Sequence, residues 1–171
     1  MRRSLVVLGG SGDLTGRLLL PALARLDAAD ELGDVGLLAV SRDDWDDAAY
    51  RDWARERLAA HAGDLADDLR ERLIGRLRYC RGDVTSPADL RTALDRADGV
   101  PVVYLALPNT VFRPTIDALA EVGLPDSAQV VVEKPFGRDL ADARELNAAL
   151  HRLLPEDAIF RVDPVLGGVI R

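Results

Sequence analysis

The chain has 171 residues, a hydrophobic content of 48% and a formal net charge of −7 at pH 7. This length suits a single domain with one buried core, and we expect residues 1–171 to form that domain. The acidic balance argues against a nucleic-acid partner, because binding nucleic acid requires a basic face.

Short apolar runs alternate with helical patterns along the chain. The runs predict six strands, at Ser4–Leu8, Gly36–Val40, Leu77–Cys80, Val102–Leu107, Gln129–Val132 and Ala158–Val162. Helical spacing is found at about 13–29, 45–77, 87–97, 111–122 and 140–153. Strands separated by helices predict an α/β fold: a doubly wound parallel sheet of the Rossmann type, with about six strands and helices on both faces.

Three helical features carry local predictions. Pro21 interrupts the first helical pattern and should kink that helix. Gly63 and Gly75 are expected to divide the long charged segment, and Ser86 is the expected N-cap of the next helix. The apolar side of the first helix is expected to consist of Leu14, Leu18, Leu19, Ala22, Leu23 and Leu26.

A glycine-rich turn follows the first predicted strand and leads into the first helix. Glycines let the backbone turn sharply and approach a ligand, and a helix start offers unpaired N–H groups to a phosphate. The order strand, glycine turn, helix therefore predicts a dinucleotide-binding site. Gly10, Gly12 and Gly16 have the spacing G-x-G-x-x-x-G, which differs from the common G-x-G-x-x-G.

The end of the second strand predicts which dinucleotide is bound. An acidic residue there bonds the ribose 2′-hydroxyl of NAD, whereas an arginine suits the 2′-phosphate of NADP. This chain has Ser41 and Arg42, which favour NADP, because a guanidinium offers a planar fork of donors. Asp43 and Asp44 follow and weaken the case for NADP. In the alternative interpretation, Arg42 is a surface residue paired with these aspartates.

Other polar residues also stand at predicted strand ends. They are Asp83, the stretch 107–110, and Glu133-Lys134-Pro135. Lys134 is a candidate for holding a substrate or moving a proton. The alternative is a salt bridge with Glu133 or a surface lysine whose stem covers apolar surface.

Histidine and cysteine residues predict no further chemistry. His61 and His151 lie in charged helical segments away from the strand ends, so we expect them to be exposed or weakly paired. Cys80 lies in an apolar strand and is expected to be a small core residue. No His/Cys cluster has metal-ligand spacing, so no metal is predicted. A single cysteine excludes an internal disulfide and favours a cytoplasmic location.

We expect no membrane association. No apolar run reaches the roughly 18 residues that a membrane span needs. Met1-Arg2-Arg3 enters the first strand at once, which leaves no room for a signal peptide. The apolar segment 165–170 has no partner in the sequence, so we expect it to contact another protein or a second copy of this chain.

Five groups of residues follow one another along the chain. They are Gly9-Gly10-Ser11-Gly12-Asp13-Leu14 with Arg17-Leu18-Leu19-Leu20-Pro21-Ala22-Leu23; Ser41-Arg42-Asp43-Asp44-Trp45 with Ala48-Ala49-Tyr50; Tyr104-Leu105-Ala106-Leu107-Pro108; Glu133-Lys134-Pro135-Phe136-Gly137; and Phe160-Arg161-Val162-Asp163. In this order and spacing the chain resembles the coenzyme domain of the glucose-6-phosphate dehydrogenase family. The similarity runs over essentially all of its residues.

The resemblance implies an NADP-binding oxidoreductase domain of the pentose phosphate pathway of glucose metabolism. Whether NAD can replace NADP stays open at this point. In the family, hydride passes from the sugar C1 to the nicotinamide. The resemblance places Lys134 between coenzyme and sugar, and it makes Asp163 the residue that orients a histidine base; these two are the candidate catalytic residues. The expected coenzyme contacts are Gly9, Ser11, Gly12, Asp13, Leu14, Ser41, Arg42, Ala106, Leu107, Pro108, Thr110, Glu133 and Lys134.

The sequence departs from the family near its end. The family has Asp-His-Tyr-Leu-Gly-Lys where this chain has Asp163-Pro164-Val165-Leu166-Gly167-Gly168. The histidine and lysine that hold the substrate phosphate are therefore missing, and so are the histidine base and the C-terminal substrate domain. We expect a sugar phosphate to bind only together with such a second domain, and the chain alone to be inactive.

Two alternative functions remain at this point. The chain is a stand-alone nucleotide-binding module or a noncatalytic subunit that pairs with another polypeptide, or it is an enzyme on another small substrate with Lys134 as acid and base. The last interpretation lacks a Tyr-x-x-x-Lys pair.

Overall fold

A computed structural model describes residues 1–133 and 138–163, and the backbone of 168–170. The strands are β1 Arg3–Leu8, β2 Gly36–Ser41, β3 Leu77–Arg81, β4 Val100–Leu105, β5 Gln129–Glu133, β6 Ile159–Asp163 and β7 Gly168–Ile170. The helices are α1 Leu20–Ala28, α2 Asp47–His61, α3 Asp67–Arg76, α4 Pro87–Asp95, α5 Asn109–Val122 and α6 Leu140–Leu153. A π-helical segment, Thr15–Leu19, precedes α1, and a 3₁₀ turn, Glu156–Ala158, precedes β6.

The strands form one sheet in the order β3-β2-β1-β4-β5-β6-β7. Strands β1 to β6 pair in parallel, which confirms the predicted doubly wound sheet. The strand order reverses between β1 and β4, and ligands bind at such a point outside the carboxyl ends of the strands. Leu8 is in register with Val40 of β2 and with Leu105 of β4, so the ends of these three strands lie at one edge.

Strand β7 is an addition to the predicted architecture. It pairs antiparallel with β6, and Val162 is opposite Val169. The expectation that the segment 165–170 has no partner is therefore wrong for 168–170, whose backbone belongs to the sheet. Residues 164–167 lie outside the described part, and a protein contact through 165–170 stays a prediction.

Two apolar clusters cover the two faces of the sheet. Alternate residues of β2 belong to different clusters: Leu38 and Val40 face one, and Leu37 and Ala39 face the other. The first cluster includes residues of α4, α5 and α6, and the second includes residues of α1, α2 and α3. Helices therefore lie on both faces, as the sequence predicted.

The start of the first helix differs from the prediction. Leu18 and Leu26 are both 40% exposed, although both were expected on the apolar side. Ala22 is exposed as well, whereas Leu23 is buried as predicted, together with Leu20 and Ala24. A π-helical turn has a wider period than an α-helix, so it rotates the positions that follow relative to a regular 3.6-residue pattern. The interruption expected at Pro21 thus occurs as a π-helical segment before it.

Other helix limits follow the sequence with two differences. Ser86 caps α4, its hydroxyl accepting from the Asp89 amide. Gly63 lies between α2 and α3 as expected, whereas Gly75 lies within α3 and divides nothing. Among the described residues, no helix is long and apolar enough to cross a membrane.

Candidate functional site

The glycine turn is tied to the neighbouring strand β2. The amides of Gly9 and Gly10 both donate to the carbonyl oxygen of Val40, each over 3.0 Å, and the Gly12 amide donates to the Gly9 carbonyl over 3.1 Å. The Thr15 hydroxyl donates to the same Gly9 carbonyl. These bonds hold the turn at the carboxyl edge of the sheet, directly before the first helical residues.

Gly9 sits where only glycine fits. Its φ is +89°, in the left-handed region, and an added Cβ would lie 2.2 Å from the carbonyl oxygen of Ala106. The Ala106 amide in turn donates to the Leu8 carbonyl over 2.9 Å. Glycine therefore allows the ends of β1 and β4 to approach closely, at the point where the strand order reverses.

A buried tyrosine holds the glycine turn through a hydrogen bond to its backbone. Tyr50 of α2 is 1% exposed, and its hydroxyl donates to the Gly10 carbonyl over 2.7 Å. Burial raises the pKa of Tyr50, and the neighbouring Tyr79 raises it further, so the hydroxyl keeps its proton and remains a donor. The ring of Tyr50 stacks on Tyr79 with the centroids 5.1 Å apart.

Removing this hydroxyl should loosen the turn. We expect Tyr50→Phe to lower the free energy of unfolding by about 1–2 kcal/mol, because the buried Gly10 carbonyl loses its described donor. Coenzyme binding, if it uses this turn, should weaken in parallel. Urea denaturation followed by circular dichroism measures the first effect. An unchanged unfolding free energy would show that solvent replaces the tyrosine hydroxyl at no cost.

A cleft of about 490 Å³ opens beside the turn, at the ends of β1, β2, β3 and β4. Its lining residues are Gly9, Ser11, Gly12, Ser41, Arg42, Asp43, Gly82, Asp83, Val84, Thr85, Ala106, Leu107, Pro108 and Val111. The part of this lining that the sequence predicted consists of Gly9, Ser11, Gly12, Ser41, Arg42, Ala106, Leu107 and Pro108. The structure thus brings residues from three separate predicted motifs into one cleft.

Three other predicted contacts, Asp13, Leu14 and Thr110, do not belong to the described lining of the cleft. Asp13 forms a salt bridge with Arg17 at 3.2 Å, with its side chain 78% exposed. Leu14 is half-buried and Thr110 is exposed in the first turn of α5. These residues stand beside the cleft lining in sequence, so their contact with a coenzyme stays a prediction.

Asp163, one of the two candidate catalytic residues, lies toward the other half of the sheet. Asp163 is the last residue of β6, and Glu133 is the last residue of the neighbouring strand β5. Glu133 is in register with Val162, so Glu133 and Asp163 lie at the same edge of the sheet. The Tyr104 hydroxyl donates to Glu133 over 2.5 Å. Burial raises the pKa of Glu133, and the tyrosine hydrogen bond opposes that rise. Lys134 lies outside the described residues, so its predicted role cannot be placed.

Arg42 is exposed at the rim of the cleft. Within the described ranges, 1–133 and 138–163, no carboxylate lies within ion-pair distance of Arg42. Asp44 pairs with Arg81 at 3.0 Å, and Asp43 accepts from Ser11 and Ser41. Arg42 is therefore a surface residue, as the alternative interpretation expected, but the ion pair with Asp43 or Asp44 is not present in the described structure. Its contact with a coenzyme stays a prediction.

Residues after β3 form a wall of the cleft that the sequence only partly indicated. Asp83 was noted at a strand end, but Thr85 was not singled out. Hydrogen bonds from the Thr85 hydroxyl and amide hold the pKa of Asp83 below its ordinary value, helped by the positive charge of Arg42. The motif Asp-x-Thr is a local turn signal, and it could have predicted the contact between Asp83 and Thr85.

The two histidines and the cysteine do not belong to the described lining of the cleft. His61 is exposed, and His151 contacts Glu156 with its side chain 48% exposed. Cys80 is a free thiol at 2% exposure, as the apolar strand predicted. Across the described residues, no group of three or more His, Cys, Asp or Glu side chains has a metal-binding arrangement.

Comparison with known proteins identifies this arrangement. Residues 6–169 match the family described as glucose-6-phosphate dehydrogenase, NAD binding domain. The chain belongs to this family. The resemblance noted from five short motifs is confirmed, because the match spans the strands and loops that build the cleft.

Individual members of the glucose-6-phosphate dehydrogenase family are longer than this chain. The chain is 41% identical to glucose-6-phosphate 1-dehydrogenase of Mycolicibacterium smegmatis over 174 residues, which cover 95% of this chain and 35% of that protein. It is 42% identical to glucose-6-phosphate 1-dehydrogenase 1 of Mycobacterium tuberculosis (strain H37Rv) over 166 residues, with the same coverage. The chain therefore spans about a third of the length of these relatives.

Solved structures of the family agree with the fold. The crystal structure of glucose-6-phosphate 1-dehydrogenase from Mycobacterium avium superposes with a TM-score of 0.85 at 39% identity, covering 94% of this chain and 35% of that one. A glucose-6-phosphate dehydrogenase solved in complex with glucose-6-phosphate superposes with a TM-score of 0.79 at 28% identity, covering 94% and 36%.

Proposed function

We propose that the cleft binds NADP(H), with NAD as a weaker second coenzyme. The observation that carries this proposal is Arg42, which directly follows β2 and has no carboxylate within ion-pair distance among the described residues. An arginine at that place in a doubly wound sheet suits a 2′-phosphate, and the Ser41 and Ser11 hydroxyls lie beside it.

Two regions of the cleft suit two further parts of that coenzyme, the pyrophosphate and the nicotinamide. The glycine turn and the start of the helical segment face the place of the pyrophosphate, where backbone N–H groups and the helix dipole favour negative charge. The lining formed by Ala106, Leu107 and Pro108 is largely apolar and suits the nicotinamide side. When bound, the coenzyme supplies a hydride acceptor.

We propose further that residues 1–171 act as the coenzyme domain of an enzyme that oxidises glucose 6-phosphate. The relatives named above carry that activity in their names, and this chain matches about a third of each. Lys134 and Asp163 are the candidate catalytic residues, and Asp163 stands at the carboxyl edge of the sheet, toward which a bound sugar would lie. A cytoplasmic location stays a prediction based on the cysteine content.

The chain by itself should bind coenzyme and show negligible turnover. His61 and His151 lie far from the strand ends in sequence and in exposed positions, so no described histidine serves as a base at the cleft. Calorimetric titration with NADP⁺ and NAD⁺ measures binding. Absorbance of NADPH with glucose 6-phosphate present measures turnover.

Three outcomes of this experiment are informative. Saturable binding of NADP⁺ without NADPH production is the expected result. Failure to bind either coenzyme would overturn the proposed function. Sustained NADPH production by the purified chain would show that its own residues complete the sugar site.

A further inference from the structure

One carboxylate of the cleft stands among the hydroxyls expected to face the 2′ position of the adenosine ribose. The Ser11 hydroxyl, from the glycine turn, and the Ser41 hydroxyl, at the end of β2, both donate to the same Asp43 oxygen, Oδ2. The Ser41 contact measures 3.2 Å. Two hydroxyl donors that converge on one anionic oxygen form the kind of arrangement that also binds a phosphate oxygen.

The backbone at Asp43 is fixed independently of its side chain. The Trp45 amide donates to the Asp43 carbonyl over 2.9 Å. The Tyr79 hydroxyl lies 2.8 Å from the same oxygen and 2.7 Å from the Ser41 hydroxyl, so its one proton is shared between these acceptors. The described partners of the Asp43 carboxylate, by contrast, are the two cleft hydroxyls. Removing the charge of this carboxylate should therefore leave the loop in place.

The neighbouring aspartate has a different environment. The Asp44 side chain is 87% exposed and pairs with Arg81, which does not line the cleft. Asp43 itself lines the cleft beside Arg42. Both aspartates are exposed, but Asp43 lines the cleft and Asp44 does not.

We propose that Asp43 determines coenzyme specificity by opposing the preference for NADP that Arg42 confers. Its carboxylate repels the 2′-phosphate of NADP and competes for Ser11 and Ser41. The same carboxylate accepts a hydrogen bond from the ribose 2′-hydroxyl of NAD, the role of an acidic residue near the end of β2. This inference rests on the proposed function, since it concerns the same cleft.

The test compares Asp43→Asn with Asp44→Asn in the full 171-residue chain. Each variant removes one negative charge from adjacent positions, so general charge effects are matched. We expect Asp43→Asn to tighten NADP⁺ binding about three- to ten-fold, the range of a partly screened like-charge contact, and to leave NAD⁺ unchanged or weaker. Asp44→Asn should shift both coenzymes by less than about two-fold.

The titrations separate the two proposals. If the unmodified chain binds neither coenzyme, the proposed function and this inference both fail. If it binds NADP⁺ but Asp43→Asn leaves the ratio of the NADP⁺ and NAD⁺ affinities unchanged, this inference alone fails. A second variant, Asp43→Ser, should give the same shift in that ratio, and circular dichroism confirms that each variant is folded.

Discussion

Replacing Gly9 by alanine should lower the free energy of unfolding by about 2–5 kcal/mol. Two costs add: about 1–2 kcal/mol for a side chain in the left-handed region and about 1–3 kcal/mol for overpacking. The first cost follows from the φ of +89°, and the second from the 2.2 Å approach of the new Cβ to the Ala106 carbonyl oxygen. Urea denaturation followed by circular dichroism measures the loss.

A matched control separates these two costs. Gly33 has a φ of +66°, and an added Cβ would meet no atom within 4 Å. Gly33→Ala should therefore cost about 1–2 kcal/mol from backbone strain alone. If Gly9→Ala and Gly33→Ala lose the same free energy, the contact between the turn and β4 gives way at no cost, and our account of Gly9 is wrong.

The loss at Gly9 should extend to ligand binding. A Cβ pushes the turn away from Ala106, which lines the same cleft. The turn and the helix start that follows it would then move away from the expected position of the pyrophosphate. We therefore expect Gly9→Ala to weaken both NADP⁺ and NAD⁺, because the two coenzymes share this part, whereas Gly33→Ala should leave binding unchanged.

Strand patterns made the sheet predictable from the sequence. A central parallel strand is covered on both faces, so its residues form a short apolar run that stands out between charged helices. Five of the six runs predicted their strand to within one residue at each end. The fourth differs because β4 begins at Val100 and contains Pro101, a residue that usually argues against a strand interior.

The π-helical segment could not be predicted from residue spacing. Its sequence, Thr15–Leu19, includes the poor helix former Gly16, but Leu18 belongs to an apolar pattern that a regular helix would also show. Pro21 lacks an N–H, and its ring would crowd a carbonyl in the preceding turn of a regular helix. A wider turn relieves that crowding, but the sequence alone does not distinguish a π-turn from a kink.

The side-chain partners of Asp43 and Asp44 could not be predicted from the sequence either. The sequence places Asp43 and Asp44 next to Arg42, and adjacency suggested a local ion pair. In the structure Asp43 accepts from Ser11, 32 positions earlier, and Asp44 pairs with Arg81, 37 positions later. Strand-end logic predicts which residues share an edge of the sheet, but the partner of each charge depends on how the strands are arranged beside one another.

Loss of the Arg42 guanidinium should selectively weaken NADP⁺ binding, by about 1.5–3 kcal/mol, the scale of a hydrogen bond to a charged group. NAD⁺ lacks the 2′-phosphate, so Arg42→Ala should leave its affinity nearly unchanged. Calorimetric titration with each coenzyme measures the difference. The compound 2′,5′-ADP carries the 2′-phosphate without the nicotinamide, and it should lose the same free energy as NADP⁺.

Arg81→Ala is the matched control for this prediction. Arg81 ends the adjacent strand β3, pairs with Asp44 and is 60% exposed, and it does not line the cleft. Both variants remove one positive charge, so a general effect of net charge would weaken NADP⁺ equally in the two. We expect Arg81→Ala to change the free energy of NADP⁺ binding by less than about 0.5 kcal/mol. Equal weakening of NADP⁺ and NAD⁺ in Arg42→Ala would instead assign Arg42 to the part that both coenzymes share.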